Sequence, residues 1–576
     1  MALLKLEDEK LKQCKDMLNS GYEENMIGFD PLPDGKQKAV ISISNGIKRA
    51  VSFASTGNTT ETAFKTARGK ALKYCSEHIF MPKMAMISFV SEERRVSVSE
   101  FLNEVCGTKR YYYRYGVSFD EFYQYAFLEQ EINALAIINW KTPEAGEKNK
   151  YTKKFGENGN QIPVINVKNI TTALKERGAI RKSTDFSVNN SESVILFSTK
   201  SVFTDNSGCL RLTSGGLQNG LRFSLVEDLE NKDFLVDFTE KTADYLISTV
   251  NTDGSMVYGY YPWYGRTVTG YNTIRHCLSV MSFLDMYTLT GSIKYAEAAR
   301  KTYKYYFDAF MVEAEDGALA INDPANDSEI RLGALGLALV AMFMYSEAFN
   351  TDEDMEKAAK IAEMICRMQD KETGELTHVL SYPDFTLKDK FRIVYYSGEA
   401  CYGLMKLYQK TKEAKYLEAV KKAFDFFIEN NYEQYSDHWL SYSVNELTES
   451  YPEDKYFEFG LKNTFQDINF ILTRETTFAT MLELSNAAYK MIERIKTLRK
   501  DYLLEPYDID KFYIAMKERI KFQAYGVMMP EMAMFFHEPN KFLYSAFIRH
   551  HSFRIRNDDV AHHIIGYCRY IENVLR

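Results

Sequence analysis

Apolar and polar positions fall into two textures along the chain. Residues 1–225 are mixed. Lys38 to Ile47 alternates apolar and polar side chains and carries an Asn45-Gly46 turn, which predicts a hairpin with Arg49 to Ala54 as its second strand. Thr60 to His78 has a helical period, Met84 to Val90 reads as a strand and Phe119 to Trp140 as a second helix. Asp205-Asn206-Ser207-Gly208 predicts the turn of a further hairpin. This portion is expected to be an α+β accessory or scaffold domain.

From residue 226 a 3.6-residue period dominates. It predicts twelve helices, beginning near Asn231, Ile274, Ile293, Leu332, Asp352, Ser397, Glu413, Ser436, Glu453, Thr476, Tyr507 and Asn557. One set, such as IKYAEAARKTYKYYFDAF and EAKYLEAVKKAFDFFIEN, carries a polar stripe. The other, such as IRHCLSVMSFLDMY, LGALGLALVAMFMY and GEACYGLMKLYQ, is apolar nearly all round. A helix apolar on every side must be surrounded by protein, whereas a striped one faces water. The alternation predicts two concentric layers, and six pairs close an (α/α)6 toroid. Unequal spacing of the inner helices counts against a solenoid of fixed period and fits loops lengthened around a site. The expected fold class is therefore mainly α, a twelve-helix (α/α)6 toroid over 226–576 preceded by a smaller α+β domain over 1–225.

Composition removes several classes. Lys+Arg 71 against Asp+Glu 79 gives a net charge of -8, without the basic footprint of a nucleic-acid binder, so no nucleic-acid partner is expected. Eight cysteines without a CxxC argue against a zinc ribbon or disulfide framework and fit a reducing cytoplasm. The amino terminus is too charged for a secretory signal. The longest apolar run, Leu332 to Tyr345, falls short of the roughly 20 residues that cross a bilayer, so no membrane insertion is expected. P-loop, Rossmann, GxSxG and HExxH motifs are absent, and His562-His563 point to different helix faces, so neither a metal nor a cofactor is expected.

Chemistry gathers where each inner helix begins. The junctions read Tyr271-Asn272-Thr273-Ile274-Arg275-His276, Glu329-Ile330-Arg331, Tyr395-Tyr396-Ser397-Gly398-Glu399 and Ser436-Asp437-His438-Trp439. They continue with Arg474-Glu475-Thr476-Thr477 and with Arg554-Ile555-Arg556-Asn557-Asp558-Asp559 leading to His562-His563. A closed toroid opens all six inner amino termini on one face, so these segments should converge on one funnel. Capping accounts for Ser436, Thr476 or Asn557, and for acids in a first turn. It does not account for Arg275, Arg331, Arg474 and Arg556, because arginine there opposes the helix dipole and needs a partner. An electropositive mouth follows, suited to a uronate, a phosphorylated sugar or a carboxylated polymer. Ahead of the first inner helix, Tyr258 to Tyr264 holds five aromatic rings, among them Tyr261 and Trp263. Such rings either stack on sugar faces over a pocket or pack against the amino-terminal domain.

The phrases GYNTIRHCLSVMSFLDMYTLTGSIKYAEAARK, YYSGEACYGLMKLYQKTKEAKYLEAVKKAFDFF and DHWLSYSVNEL resemble the six-hairpin (α/α)6 carbohydrate-enzyme superfamily. That superfamily includes N-acylglucosamine 2-epimerase-like proteins, D-glucuronyl C5-epimerases and several glycoside hydrolase and lyase families. The likeness is closest to a bacterial group that joins a small amino-terminal α+β domain to this toroid. It implies a carbohydrate-active enzyme, here one acting on an anionic sugar or glycan. The paired-histidine arrangement of the 2-epimerases has no matching context in the sequence. Hydrolysis would draw on Glu399, Asp437, Glu475 and Asp559 as acid and base. Epimerisation or elimination would use His276, His438 or His562 as base, with Arg275, Arg474 and Arg556 clamping a carboxylate. Tyr258, Tyr261, Trp263, Tyr271, Asn272, Arg331, Tyr395, Tyr396 and Trp439 are the expected substrate contacts. The alternative is a non-catalytic glycan- or peptide-binding scaffold.

Overall fold

A computed structural model of the chain describes residues 8–33, 35–143, 161–190 and 192–575. The amino-terminal portion is built on an antiparallel sheet of seven strands. These are Gln37–Ser44 (β1), Val51–Gly57 (β2), Met84–Ser97 (β3), Gly116–Ser118 (β4), Ala126–Phe127 (β5), Ser193–Asp205 (β6) and Gly208–Arg211 (β7). The order is β2-β1-β3-β6-β4-β5, with β7 paired to β6 through the predicted hairpin, Asp205 opposite Gly208. Every residue of β1 is buried because both faces of the sheet are covered. Its period of two sends Ala39, Ile41 and Ile43 toward helices Asp8–Met26 and Thr60–His78. Val40, with Met84 and Met86 of β3, turns instead into the core shared with the helical region.

The helix expected over Phe119–Trp140 does not form. Its place is taken by β5, a six-residue helix Glu129–Ala134 and a strand Ile138–Lys141 paired with Ile162–Ile165. Asp120 explains the break. Its carboxylate accepts the backbone N–H groups of Phe122, Gln124 and Tyr125, which fixes a turn where a helix would start.

The helical region holds twelve long helices, each starting within four residues of its expected position. They are Lys232–Ile247 (α1), Thr273–Thr290 (α2), Ile293–Phe310 (α3), Leu332–Phe349 (α4), Met355–Arg367 (α5) and Tyr395–Thr411 (α6). Ala414–Glu429 (α7), His438–Ser450 (α8), Asp454–Phe465 (α9), Thr480–Thr497 (α10), Ile509–Ala524 (α11) and Asn557–Asn573 (α12) complete the set. The even-numbered helices form a closed inner ring, in which α2 touches α4, α4 touches α6, and so on until α12 returns to α2. Each odd-numbered helix packs outside its neighbours. This is the (α/α)6 toroid. By length and composition α4 matches a membrane span, and here it is an inner helix packed against α2, α5 and α6.

The ring's two faces differ in their connections. At the carboxyl ends of α2, α4 and α6 the chain turns on left-handed residues Gly291, Asn350 and Lys412, whose N–H groups cap Tyr287, Ser346 and Tyr408. Opposite, at the inner amino termini, long loops arrive. Strands tie them together, Glu329–Arg331 to Val379–Ser381 and Gly259–Tyr261 to Ile555–Arg556, the latter joining the first loop to the last. Gly336, Gly398 and Gly403 let the inner helices touch backbone to backbone, and a Cβ on Gly398 would lie 2.5 Å from the Leu440 nitrogen. That close packing sets where the first turns of α6 and α8 sit.

Candidate active site

A cavity of about 560 Å³ opens on the face of the inner amino termini, a size typical of small-molecule sites. Its floor carries two histidines. His438 is the first residue of α8, placed by Asp437, whose carboxylate caps the helix by accepting the Leu440 N–H at 2.9 Å. His562 lies in the second turn of α12. Their ring centroids are 5.5 Å apart, nearly perpendicular. Between them and deeper in the core is Glu483 of α10, fully buried, which binds His562 Nδ1 at 2.6 Å and accepts the Tyr442 hydroxyl at 3.0 Å. The Nδ1 side of His562 is thus engaged and Nε2 is the nitrogen open to a ligand. On His438, Nδ1 lies 3.4 Å from Asp437, and Nε2 is buried with no protein partner.

Electrostatics separate the groups. Burial opposes charge on His562, but the attraction of Glu483, Asp558 and Asp559 outweighs it and holds the imidazole above its usual pKa. Burial likewise favours a neutral Glu483, and the two histidines together with the Tyr442 bond reverse that, keeping it below the ordinary carboxylate range. The result is an ion pair inside the floor. Glu399, in the second turn of α6, goes the other way. Burial and then repulsion from Asp437 push it well above the carboxylate range, which favours its uncharged form. Its Oε2 has no partner, and Gly333 of α4 leaves the space, since a Cβ there would overlap that oxygen.

Of the residues singled out in the sequence, Asn272, Arg275, Tyr395, Tyr396, Glu399, His438, Trp439, Arg474, Arg556, Asp559 and His562 line the cavity. Asp437 supports it from behind as the α8 cap. The others lie elsewhere. His276 is fully buried, held between the Tyr271 hydroxyl at 2.6 Å and the Thr302 carbonyl at 2.9 Å, so His276 is a core residue and the half-buried Tyr271 packs against it. Arg331 is turned into the protein by Asp323 and Glu329. Glu475 is exposed, because α10 begins at Thr480 and leaves it in the preceding loop. In the aromatic loop, Trp263 packs on Tyr111 and Phe553, and its carbonyl accepts Arg49 from β1–β2, so the loop serves the domain contact. Tyr258 lies under the Arg275 guanidinium, and Tyr261 stands in the strand that pairs with Arg266.

The uniformly electropositive mouth expected from the sequence is also corrected. Arg275 and Arg556 share Asp558 at 2.9 and 3.1 Å, and Arg556 also binds Asp559 at 3.0 Å, so these two arginines meet two carboxylates. Sequence reasoning missed Glu483, although one acid between Leu482 and Leu484 in an inner helix was a legible signal. It also missed His550 and His551 as lining residues, whose signal was the cationic density of RHHSFRIR, while Arg554, named within the last junction, does line the cavity. His438, Glu483 and His562 offer ligand atoms within 4.8 Å of one another, a set able to hold a metal ion. Glu483 is already bonded to both His562 and Tyr442, and a metal would have to displace those bonds.

No protein-family model matches the chain, and no curated protein sequence matches it. Among solved structures it is similar to a D-mannose isomerase, at 12% identity over 60% of this chain and 99% of that one, with a TM-score of 0.45. A cellobiose 2-epimerase from Bacillus thermoamylovorans matches at 11% identity over 59% of this chain and 100% of that one, with a TM-score of 0.45. A GH76 alpha-mannanase from Bacteroides thetaiotaomicron matches at 10% identity over 59% of this chain and 97% of that one, with a TM-score of 0.44.

Proposed function

We propose that this chain is a carbohydrate-active enzyme that moves a proton on an anionic sugar, as an epimerase or isomerase, with His438 and His562 as the exchanging groups. The observation that carries this reading is the histidine pair itself. Two imidazoles from helices far apart in sequence meet at 5.5 Å on the floor of a cavity, one backed by a buried carboxylate and the other with a bare Nε2. Such a pair suits removal of the proton on the carbon beside a carbonyl by one ring. The electrons move onto the carbonyl oxygen, giving an enediolate. Return of a proton to the opposite face of that carbon gives the epimer. Passage of the hydroxyl proton on that carbon to the former carbonyl oxygen, followed by return of the abstracted proton to the neighbouring carbon, gives the isomer. Atoms balance without a cofactor. Glu399, favoured in its uncharged form and lining the same cavity, is placed to donate a hydrogen bond to the oxygen that gains charge.

Hydrolysis would need a second free carboxylate across from Glu399. Asp558 and Asp559 are the nearest acids on the cavity wall, and both are held by arginines. A non-catalytic scaffold would pair off its polar groups, whereas Glu399 Oε2 and His438 Nε2 are left bare. Eight free cysteines fit the cytoplasmic setting expected from the sequence. The test is incubation with aldoses and ketoses, neutral and anionic, in deuterium oxide. Deuterium should appear at the carbon beside the carbonyl and vanish with His438→Asn or His562→Asn. Release of a reducing sugar from a glycoside without deuterium uptake would replace this reading by hydrolysis.

A further inference from the structure

The cavity has a second wall with different chemistry. Where α2 and α12 contribute arginines matched by aspartates, the loop between α11 and α12 and the segment before α10 contribute cations with no acid beside them. The Arg474 guanidinium lies between the rings of Phe470 and Phe478, 4.8 Å from each, and its buried Nε has no partner. Arg554 also has a buried bare Nε, and its NH2 reaches only His551 Nδ1, at 3.2 Å. His550 keeps a buried, unpartnered Nδ1. Among the described residues no carboxylate forms an ion pair with Arg474 or Arg554. All four residues line the cavity.

The charge gathered there is large enough to act on its own members. Burial first, then His551, Lys109, Arg474 and Arg110, push His550 down to about 3. Burial and the charges of Arg554, Arg556, Arg110 and Lys109 lower His551 as well. No acid offsets either shift. Arg474 and Arg554 are half-buried, and holding cations partly out of water without counter-charge carries a cost that an anion in the cavity would offset. The amino-terminal domain holds this wall in place. Arg549, next to His550, donates to the Tyr111 carbonyl at 3.0 Å and to Glu129 at 3.3 Å, and the Tyr111 and Ser552 hydroxyls are 3.3 Å apart.

We propose that the cavity takes a phosphorylated sugar, with the phosphate monoester received by Arg474, Arg554, His550 and His551 on the wall braced by the amino-terminal domain. Two unpaired guanidinium groups match a dianion better than a single carboxylate, and their forked donors suit phosphate oxygens. This rests on the reading of the cavity as a sugar site but not on the proton-transfer chemistry. It also assigns the amino-terminal domain a role, as the frame that positions the anion-binding loop.

The experiment is calorimetric titration of the full chain with inorganic phosphate, glucose 6-phosphate, glucuronate and glucose, at constant ionic strength because screening would otherwise mimic specificity. Phosphate and glucose 6-phosphate should bind, glucuronate at least tenfold more weakly than glucose 6-phosphate. Arg474→Gln and Arg554→Gln should each weaken phosphate binding at least tenfold. Should Arg474→Gln fail to fold, because its guanidinium is stacked between two rings, Arg554→Gln alone decides. His562→Asn should bind phosphate like the wild type, so loss of the proton-transfer reading would leave this one standing. Absence of phosphate binding, binding unchanged in Arg554→Gln, or tighter binding of glucuronate would each overturn the assignment.

Discussion

His276 and His562 sit near the start of inner helices on the same face of the ring, yet they live in opposite environments. His276 has both ring nitrogens occupied, by Tyr271 and Thr302, and burial pushes it down to about 4. His562 has one nitrogen on a buried carboxylate and its other edge toward the cavity, and its pKa is raised. What separates them is not the residue or its place along a helix. It is whether an acid stands behind the ring and whether the front is open. One arrangement stores a neutral imidazole as packing, and the other holds a charge ready for transfer.

The largest break in this comparison comes from removing each ring. His438→Ala or His562→Ala should lower kcat/KM by about 10³-fold, within the range for lost acid–base catalysis. His438→Ala should leave the melting temperature little changed, whereas His562→Ala should also lower it, because Glu483 is left buried without its counter-charge. His276→Ala should do the reverse. Turnover per folded molecule persists, while stability falls by roughly 1–3 kcal/mol because the Tyr271 hydroxyl and the Thr302 carbonyl lose their partner in the core. Denaturant melts and steady-state assays on the three variants check both halves.

Acid should separate the two kinds of histidine next. His276, His378 and His563 are each lowered to about 4, chiefly by burial. Unfolded, they titrate near ~6.5. Between those values the unfolded chain takes up protons that the folded chain refuses, so stability falls as pH drops from about 6.5 to 4, by roughly 3 kcal/mol per histidine. His562, and Asp285 pushed up to about 6, work in the opposite sense. The His276 contribution is therefore read by difference. His276→Asn should lessen the dependence of stability on pH in that window by one proton relative to the wild type.

Removing the acid behind the reactive ring is a gentler change. Glu483→Gln keeps the shape and takes away the charge that holds His562 up. The limb of the pH–rate profile that reports His562 should move to lower pH, whether the ring acts as base or as acid, and kcat should drop about 10- to 100-fold. A profile that stays in place would detach Glu483 from the chemistry.

Much of this fold was legible because helices that are apolar all round announce an inner layer, as α2, α4 and α6 did. Sequence reasoning failed where one polar group overrides a pattern, as Asp120 does when it turns the predicted Phe119–Trp140 helix into a loop and strand. The site was half legible. Helix starts converge by topology, so Arg275, Tyr395, Glu399, His438 and His562 were found together. Which side chains turn outward depends on rotation about each helix and on local partners, and no linear pattern encodes that. Arg331 was lost to Asp323 and Glu329, and the His438–His562 pairing spans helices whose relation only the closed ring reveals.

The smallest expected effect is also the one that discriminates between chemistries. Burial and Asp437 favour the uncharged form of Glu399, and in that form Glu399→Gln replaces a neutral hydrogen-bond donor with another of the same shape. If the histidines carry the proton, turnover should fall by less than about tenfold, since one oxyanion contact is altered rather than removed. Stability should change by less than about 1 kcal/mol, as no buried charge is created or stranded. A hydrolytic acid has no such tolerance, because an amide cannot give up a proton to a leaving group, and the same substitution would then abolish activity. Gly333→Ala presses on the same carboxyl from α4 and should act in parallel, with a larger stability cost because its Cβ has nowhere to go.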